Sequence, residues 1–231
     1  DSKGFYWFGG ANGLIRFTDP AGERHDAIWY RMGDKTYPLS HNRIRHIYED
    51  KEQQLWIATD GSINRYDYAT RQFIHYNIVD NTGTYNTNWT YYIFEDTAGQ
   101  LWISTCLGGI FVVDKHKLMQ STSGQYIAEQ NYSVHNGLSG MFINQIIPDN
   151  EGNVWVLLYN NKGIDKINPR TREVTKLFAD ELTGEKSPNY LLCDEDGLLW
   201  VGFHGGVMRI NPKDESQQSI SFGSFSNNEI L

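Results

Sequence analysis

Aromatic and amide side chains in the polar segments of this 231-residue chain have the chemistry of a sugar-binding surface. An aromatic ring stacks on the apolar face of a sugar, and Asn or Asp hydrogen-bonds its hydroxyl groups. Trp89 and Tyr85 are the strongest candidates because they are large aromatics in the long polar segment 76–89. Asn, Asp and Gly also serve turns in any loop, which is the competing explanation. The predicted ligand-binding residues are Trp89, Tyr85, Asn88, Asn42, Arg43, Asn12, Asp60, Tyr159 and His204.

Two arginines suggest a more specific ligand. Arg43 and Arg45 precede a predicted strand and could clamp the carboxylate of a uronic acid, since the guanidinium group is planar. The sequence favours instead a solvated position or pairing with Glu49 across the strand.

The spacing of residues gives little support for a catalytic site or a metal site. The seven histidines show no short metal-ligand spacing, so no zinc site is predicted. A lyase or glycosidase needs converging carboxylates or a poised His. Asp34, Asp60 and Glu185 could reach a common face, but their spacing selects no pair. We predict no catalytic residue and no cofactor, and keep a lyase or glycosidase acting on glycans and a protein-interaction scaffold as alternatives.

A repeat must position these loops. Five Asp residues are each followed by a Trp six residues later, and the Trp residues are separated by 49, 46, 53 and 45 residues. This period is typical of a four-stranded propeller blade. The sequence therefore predicts an all-β β-propeller of four-stranded antiparallel blades, with five blades visible. The pairs are Asp1/Trp7, Asp50/Trp56, Asp96/Trp102, Asp149/Trp155 and Asp194/Trp200.

Each module has the same predicted order of strands. An alternating apolar run precedes the Asp, a second run carries the Trp, and a third and an outer fourth run follow. The Asp caps the first turn, a Gly three residues later takes a positive φ, and the Trp seals neighbouring blades. Gln53 replaces that Gly, so its turn should be strained or of another type. The predicted blades are residues 1–42, 43–88, 89–141, 142–188 and 189–222, followed by an exit segment, 223–231.

This order of strands separates two faces. The loops from the outer strand to the next blade, and from the second to the third strand, share one face, and the Asp-containing turns lie on the other. Because the first set of loops varies in chemistry, we expect the ligand there.

Composition excludes several partners. The net charge is −8 without a Lys/Arg cluster, which disfavours nucleic-acid binding. No apolar run is long enough to span a membrane, so membrane attachment is expected only through other parts of a parent protein. The opening at Asp1 suggests that an upstream segment has been removed. Cys106 and Cys193 occupy unlike positions in their modules, and we expect free, buried thiols.

Residues 39–50, followed by 55–59, resemble the two-component regulator propeller repeat. Asn136-Gly137-Leu138-Ser139 and the segment Gly13 to Phe17 are similar to other parts of that repeat. The likeness recurs in all five modules and covers nearly the whole chain.

The resemblance implies the periplasmic sensor region of a hybrid two-component system from Bacteroides-type bacteria. Such a region detects an oligosaccharide and induces polysaccharide-utilisation genes. It is itself no enzyme, whereas its parent protein is a histidine kinase. Propellers of this family have seven blades, so the chain is predicted to be five blades of a larger ring. Exposed blade faces should then cause self-association or homodimer formation. A closed five-bladed ring, completed by residues 228–231, is the alternative.

Overall fold

The computed structural model describes residues 1–19, 26–36, 38–122, 124–159, 163–178, 182 and 187–222. The chain divides into two units, residues 1–131 and 132–231. Both consist mainly of antiparallel strands, which confirms the predicted all-β class. The number of blades in the complete ring and the boundaries of the five blades stay predictions. The exit segment 223–231 lies outside the described residues.

The first unit contains three sheets and one small pair of parallel strands. Strands β1, β2 and β3 form a three-stranded sheet, and β4 to β7 form a four-stranded one. The third sheet has the order β9-β10-β11-β13, and β8 pairs with β12. The strands are β1 (Tyr6–Gly10), β2 (Gly13–Phe17), β3 (Ile28–Tyr30), β4 (Ile44–Glu49), β5 (Leu55–Thr59), β6 (Ser62–Asp67), β7 (Gln72–Tyr76), β8 (Ile78–Val79), β9 (Thr90–Glu95), β10 (Gln100–Thr105), β11 (Ile110–Asp114), β12 (Tyr126–Ile127) and β13 (Gln130–Tyr132).

The second unit contains two four-stranded antiparallel sheets, β14 to β17 and β18 to β21. A 3₁₀ turn over Val134–Asn136 precedes them, with Ser133 as its N-cap. The strands are β14 (Ile143–Pro148), β15 (Val154–Leu158), β16 (Ile164–Asn168), β17 (Glu173–Leu177), β18 (Pro188–Cys193), β19 (Leu199–Phe203), β20 (Gly206–Ile210) and β21 (Gln217–Ser221).

The single outer strand expected in each module is absent from the third. Two short strands stand there instead: β12 pairs in parallel with β8, and β13 lies beside β11. A helix that the pattern did not reveal, α1 (Lys115–Gln120), occupies the connection before them. Asp114 is the N-cap of α1 and accepts a hydrogen bond from the Lys117 amide.

The Asp of each repeat makes two kinds of hydrogen bond. In the second module, Asp50 Oδ1 accepts the amides of Glu52 and Gln54, at 2.9 and 2.8 Å. Asp50 Oδ2 accepts the Trp56 indole N–H at 2.9 Å. The same indole bond recurs in the first, third, fourth and fifth modules at 2.6, 2.9, 2.9 and 2.6 Å. The six-residue spacing therefore places an indole beside the carboxylate that caps its own turn.

Trp7 and Trp56 pack between neighbouring sheets of the first unit, as predicted. Trp56 is fully buried in a cluster that includes Ile93 and Ile103 of the following sheet. Trp7 stacks on Tyr30 at 5.7 Å and meets the edge of Tyr66 in the next sheet at 4.9 Å. Burying a large ring and satisfying its only donor makes this contact both apolar and directional.

Gln53 adopts the turn used by the repeated glycines. Its φ is 62°, close to 79° at Gly99 and 83° at Gly152. Its amide donates to the Asp50 carbonyl at 2.9 Å, as that of Gly99 does to Asp96. The expectation of another turn type is wrong, whereas the expected strain is present, since a side chain disfavours the left-handed region.

We therefore expect Gln53→Gly to raise the free energy of unfolding by about 1 kcal/mol, because Gly adopts this φ without the steric cost of a Cβ. Urea denaturation at pH 7 measures the change. Gly99→Gln is the reciprocal control and should cost a similar amount. A Gln53→Gly variant no more stable than the parent would contradict the assignment of strain.

Lys115 joins α1 to the carboxylates of two sheets. Its side chain is fully buried, and its Nζ lies 2.8 Å from Glu95 Oε1 and 3.2 Å from Asp50 Oδ2. Although burial opposes its charge, hydrogen bonds to Glu95 and Asp50 raise the pKa of Lys115. The ammonium group therefore stays charged and compensates two buried carboxylates.

Replacing Lys115 with Met should lower the free energy of unfolding by about 3–5 kcal/mol at pH 7, because Glu95 and Asp50 lose their buried countercharge. Lys117→Met is the matched control, since Lys117 lies on the same helix with a largely exposed side chain. Chemical denaturation of both variants provides the comparison. Equal losses of stability in the two variants would show that the buried ion pairs of Lys115 stabilise the fold no more than the exposed side chain of Lys117 does.

Candidate functional site

The loop between β8 and β9 carries three of the predicted ligand residues and is held by a buried carboxylate. Asp80 Oδ1 accepts the Tyr85 amide at 2.9 Å, and the Asp80 amide donates to the Tyr85 carbonyl at 3.0 Å. Although burial opposes ionisation, hydrogen bonds from Thr82 and the Tyr85 amide lower the pKa of Asp80. The charged carboxylate thus closes the loop on itself and orders Tyr85.

Trp89 precedes β9 and presents its ring to solvent. The backbone has a φ of 55°, and its amide donates to the Asp60 carbonyl at 3.0 Å. The Trp89 carbonyl accepts the Cys106 amide at 2.9 Å. Two neighbouring loops therefore hold the backbone of Trp89, and its half-exposed indole lies at the surface beside them.

A cavity of about 270 Å³ lies against this ring. Gly108 closes one side, where a Cβ would come within 2.7 Å of the Asn86 carbonyl oxygen, so only glycine permits this approach. The structure thereby brings together the predicted residues Tyr85, Asn88 and Trp89. The cavity is lined by Thr84, Tyr85, Asn86, Asn88, Trp89, Leu107 and Gly108.

The ligand-binding residues predicted from sequence did not include Leu107 and Gly108, which also line this cavity. Leu107 is half exposed in the loop between β10 and β11. The small residues after Trp102 indicate a loop there, but only the approach of the neighbouring loop makes these two residues part of a cavity wall.

Arg45 is held by Asp60 and does not pair with Glu49, which corrects the expected cross-strand pair. Its Nε donates to Asp60 Oδ1 at 2.6 Å, while Glu49 accepts the amide and hydroxyl of Ser2. Arg43 Nη1 lies 3.6 Å from Asp60 Oδ2. Asp60 therefore uses its carboxylate to position two guanidinium groups beside the Trp89 backbone.

A β-bulge directs Arg45 and Tyr91 toward each other. Pairing between β4 and β5 skips Arg45, and pairing between β9 and β10 skips Tyr91. The guanidinium carbon of Arg45 lies 4.4 Å from the Tyr91 ring centroid. Bulges commonly redirect side chains at functional edges of a sheet. The regular alternation assumed from sequence could not reveal this contact.

The other predicted residues lie outside the Trp89 cavity. Asn42 Oδ1 accepts the Met32 amide at 2.7 Å, and the Asn12 carbonyl accepts Arg31 Nε at 3.2 Å. Both therefore hold the segment that follows β3. Tyr159 and His204 are exposed in loops of the second unit. Glu185, one of the three carboxylates considered from sequence, lies outside the described part of the chain.

His46 is stacked between strands and is not a surface group. Its ring lies 3.8 Å from the Tyr92 ring centroid, and Nδ1 accepts the Ile93 amide at 3.2 Å. Burial lowers the pKa of His46 to about 4. The imidazole is therefore neutral at pH 7 and joins β4 to β9.

Among the described residues, no group of three or more His, Cys, Asp or Glu side chains could hold a metal ion. Cys106 and Cys193 are free thiols, each partly rather than fully buried. The Tyr91 hydroxyl hydrogen-bonds Cys106, but burial dominates and raises the pKa of the Cys106 thiol, which disfavours its thiolate form.

Residues 38–61 match the family model described as two component regulator propeller. The chain contains a two-component regulator propeller repeat. The match covers the strands β4 and β5 and the Asp50 turn between them. No curated protein matches the sequence at a significant level.

Solved structures extend the comparison over the whole chain. It is 98% identical to the extracellular domain of the proposed one-component system BT4673 from B. thetaiotaomicron, with a TM-score of 0.92. That match covers 97% of this propeller-repeat chain and 30% of the other, so the chain spans less than a third of its relative. The extracellular domain of the proposed hybrid two-component system BT3049, from the same organism, is 20% identical with a TM-score of 0.72, covering 96% of this chain and 28% of that one.

A streptogramin B lyase has a similar fold, with a TM-score of 0.69 at 15% identity, covering 97% of this chain and 67% of that one. At this identity the likeness concerns the fold alone. No helix in the described part of the chain is long and apolar enough to cross a membrane.

The pKa of His46 makes stability depend on pH. In the unfolded chain this imidazole has its ordinary pKa of 6.5, so it binds a proton before the folded form does. The contribution of His46 to the free energy of unfolding should therefore be at its full value above pH 6.5. It should fall by about 3 kcal/mol as pH approaches 4, and this group should cause no further loss below that pH.

Denaturation midpoints measured between pH 7 and 4 test this expectation. His46→Asn should reduce the loss, whereas His204→Asn, the same change at an exposed position, should leave it unaltered. Identical pH profiles for the parent and His46→Asn would contradict the assignment.

Proposed function

We propose that this chain is the ligand-sensing part of an extracytoplasmic signalling domain, and that its ligand is an oligosaccharide. The observation that carries the proposal is the Trp89 cavity, where a half-exposed indole on a hydrogen-bonded backbone shares the cavity wall with Asn86 and Asn88. Stacking combined with hydrogen bonding suits a sugar ring, which has an apolar face and a rim of hydroxyl groups. The 98% identical relative, an extracellular domain of a signalling system, supports the setting.

The output of the system is the next part of the proposal. The 98% identical relative is described as one-component, and the more distant fold relative as hybrid two-component. Both descriptions fit a receptor that converts an extracellular ligand into a change of gene expression. We propose that the induced genes serve polysaccharide use and that the sensor lies in the periplasm. A histidine kinase would provide the output in a hybrid two-component parent, whereas the one-component description of the 98% identical relative favours an output without a separate kinase. Homodimer formation of the parent protein would carry the signal.

Binding without bond cleavage is the proposed activity of this region. The described residues that line the Trp89 cavity include no carboxylate and no histidine, so this wall supplies no pair of groups for acid and base catalysis. The similarity to a lyase is at the level of fold, and fold alone does not carry chemistry.

Trp89→Ala tests the proposed site. The variant should lower the affinity for any bound oligosaccharide by at least about tenfold, because the stacking surface is lost. Calorimetric titration with a panel of plant and host oligosaccharides gives the affinity, and an assay for new reducing ends detects cleavage.

Trp29→Ala is the matched control, since Trp29 is exposed to the same degree on the outer strand β3. Its affinity should equal that of the parent, and the melting temperatures of both variants should stay close to the parent value. New reducing ends would support an enzyme, and silence across the panel would favour a protein-interaction scaffold. If Trp89→Ala lowered the melting temperature strongly as well as the affinity, Trp89 would be a core residue.

A further inference from the structure

A second cavity of about 460 Å³ adjoins the Trp89 cavity in the first unit. Its walls come from the end of β7, the short strand β12 and the segment before β12. The two cavities share the exposed side chain of Asn88, which therefore stands at their junction. The residues of the second cavity used below are His75, Tyr76, Asn77, Asn88, Gly124 and Tyr126.

The walls of the second cavity are ordered by hydrogen bonds. The Tyr126 amide donates to the Asn77 carbonyl at 2.8 Å, and the Tyr126 hydroxyl donates to Glu129 at the same distance. Ser62, another lining residue, donates its hydroxyl to the Tyr76 carbonyl at 2.9 Å. A cavity whose walls are already fixed needs little ordering when a ligand binds.

The chemistry of the two cavities is uniform. Charged residues make up 21% of the chain, yet the described residues lining both cavities include no Asp, Glu, Lys or Arg. They offer hydroxyl, amide, imidazole and aromatic groups, together with the aliphatic side chains of Leu107 and Ile74. A carboxylate entering either cavity would lose water without gaining a cation, which is costly. Arg43 and Arg45 share the carboxylate of Asp60 and keep one net positive charge between them, but neither arginine lines either cavity.

The sizes of the cavities favour an extended ligand. The Trp89 cavity by itself is smaller than an ordinary small-molecule site of roughly 300–1,000 Å³, whereas the second cavity lies within that range. A ligand that stacks on Trp89 and passes Asn88 reaches the second cavity without leaving polar, uncharged surface.

We propose that the two cavities are adjoining subsites for one neutral oligosaccharide, with one sugar against Trp89, the chain crossing at Asn88, and further sugars against Tyr126 and Asn77. This inference rests on the proposed sugar-sensing function and specifies its ligand class. Hydroxyl groups of the sugars in the second cavity would bond the Asn77 amide, whereas His75 is held by the hydrogen bond between its Nε2 and the Pro38 carbonyl.

Calorimetric titration of the full chain with neutral plant oligosaccharides, from disaccharide to hexasaccharide, tests the proposal. Affinity should rise by about tenfold or more between the disaccharide and the tetrasaccharide, as the second cavity fills. Uronic-acid oligomers of equal length should bind at least about tenfold more weakly. Equal affinity at all lengths, or tighter binding of the uronic-acid series, would overturn the proposal.

Gly124→Trp blocks the second cavity. Gly124 is exposed, lies outside the left-handed region, and has no atom within 4 Å of an added Cβ, so the backbone tolerates the change. The variant should bind the disaccharide as the parent does and lose the gain with length. Gly124→Ala, which leaves the cavity open, should retain that gain, and Asn77→Ala should reduce it.

The two proposals fail in different ways. Absence of binding at every length would reject the sensing function, and with it the subsites. Binding that depends on Trp89 but is the same for the parent and Gly124→Trp at every length would reject only the second subsite. Melting temperatures of all variants confirm that each comparison is made between folded proteins.

Discussion

The structure depends on one carboxylate that is used twice in every module. One oxygen of Asp50 caps the amides of its turn, and the other accepts the indole N–H of Trp56. The turn fixes where the second strand begins, and the indole fixes what that strand buries. Because the donor of a buried Trp needs a partner, the same bond lets the ring lie fully inside the contact between sheets.

The strand ends away from the Asp turns can carry different loops in each module, because the Asp turns already secure the hairpins. Bulges near the start of β4 and β9 turn Arg45 and Tyr91 out of the regular alternation. Asp60 then ties the arginines to the loop that supports Trp89. The two guanidinium groups are thus held on one carboxylate away from the cavity walls, and the described lining of the neighbouring cavities is uncharged. Such a lining distinguishes hydroxyl-rich ligands from anions.

Much of the fold could be predicted from the sequence. The spacing of Asp and Trp predicted the strands on both sides of each turn, and the apolar runs predicted the third strands. Residues 126–132 escaped this reasoning because a parallel pair of strands leaves no local pattern. Gln53 was recognised as an exception, but the type of its turn was decided by Asp50, which bonds the same amides whether or not a Gly follows.

For the site, the sequence shows which residue types are available and that Trp89 and Tyr85 share a long polar segment. Which of these residues meet depends on how the folded chain arranges its loops. Asn88 joins Trp89, while Asn12 and Asn42 are used by the segment after β3. The approach of Gly108 to Asn86 and the pairing of Arg45 with Asp60 join residues from different loops. Such contacts depend on how neighbouring sheets place their loops, and spacing along one chain carries no information about that distance.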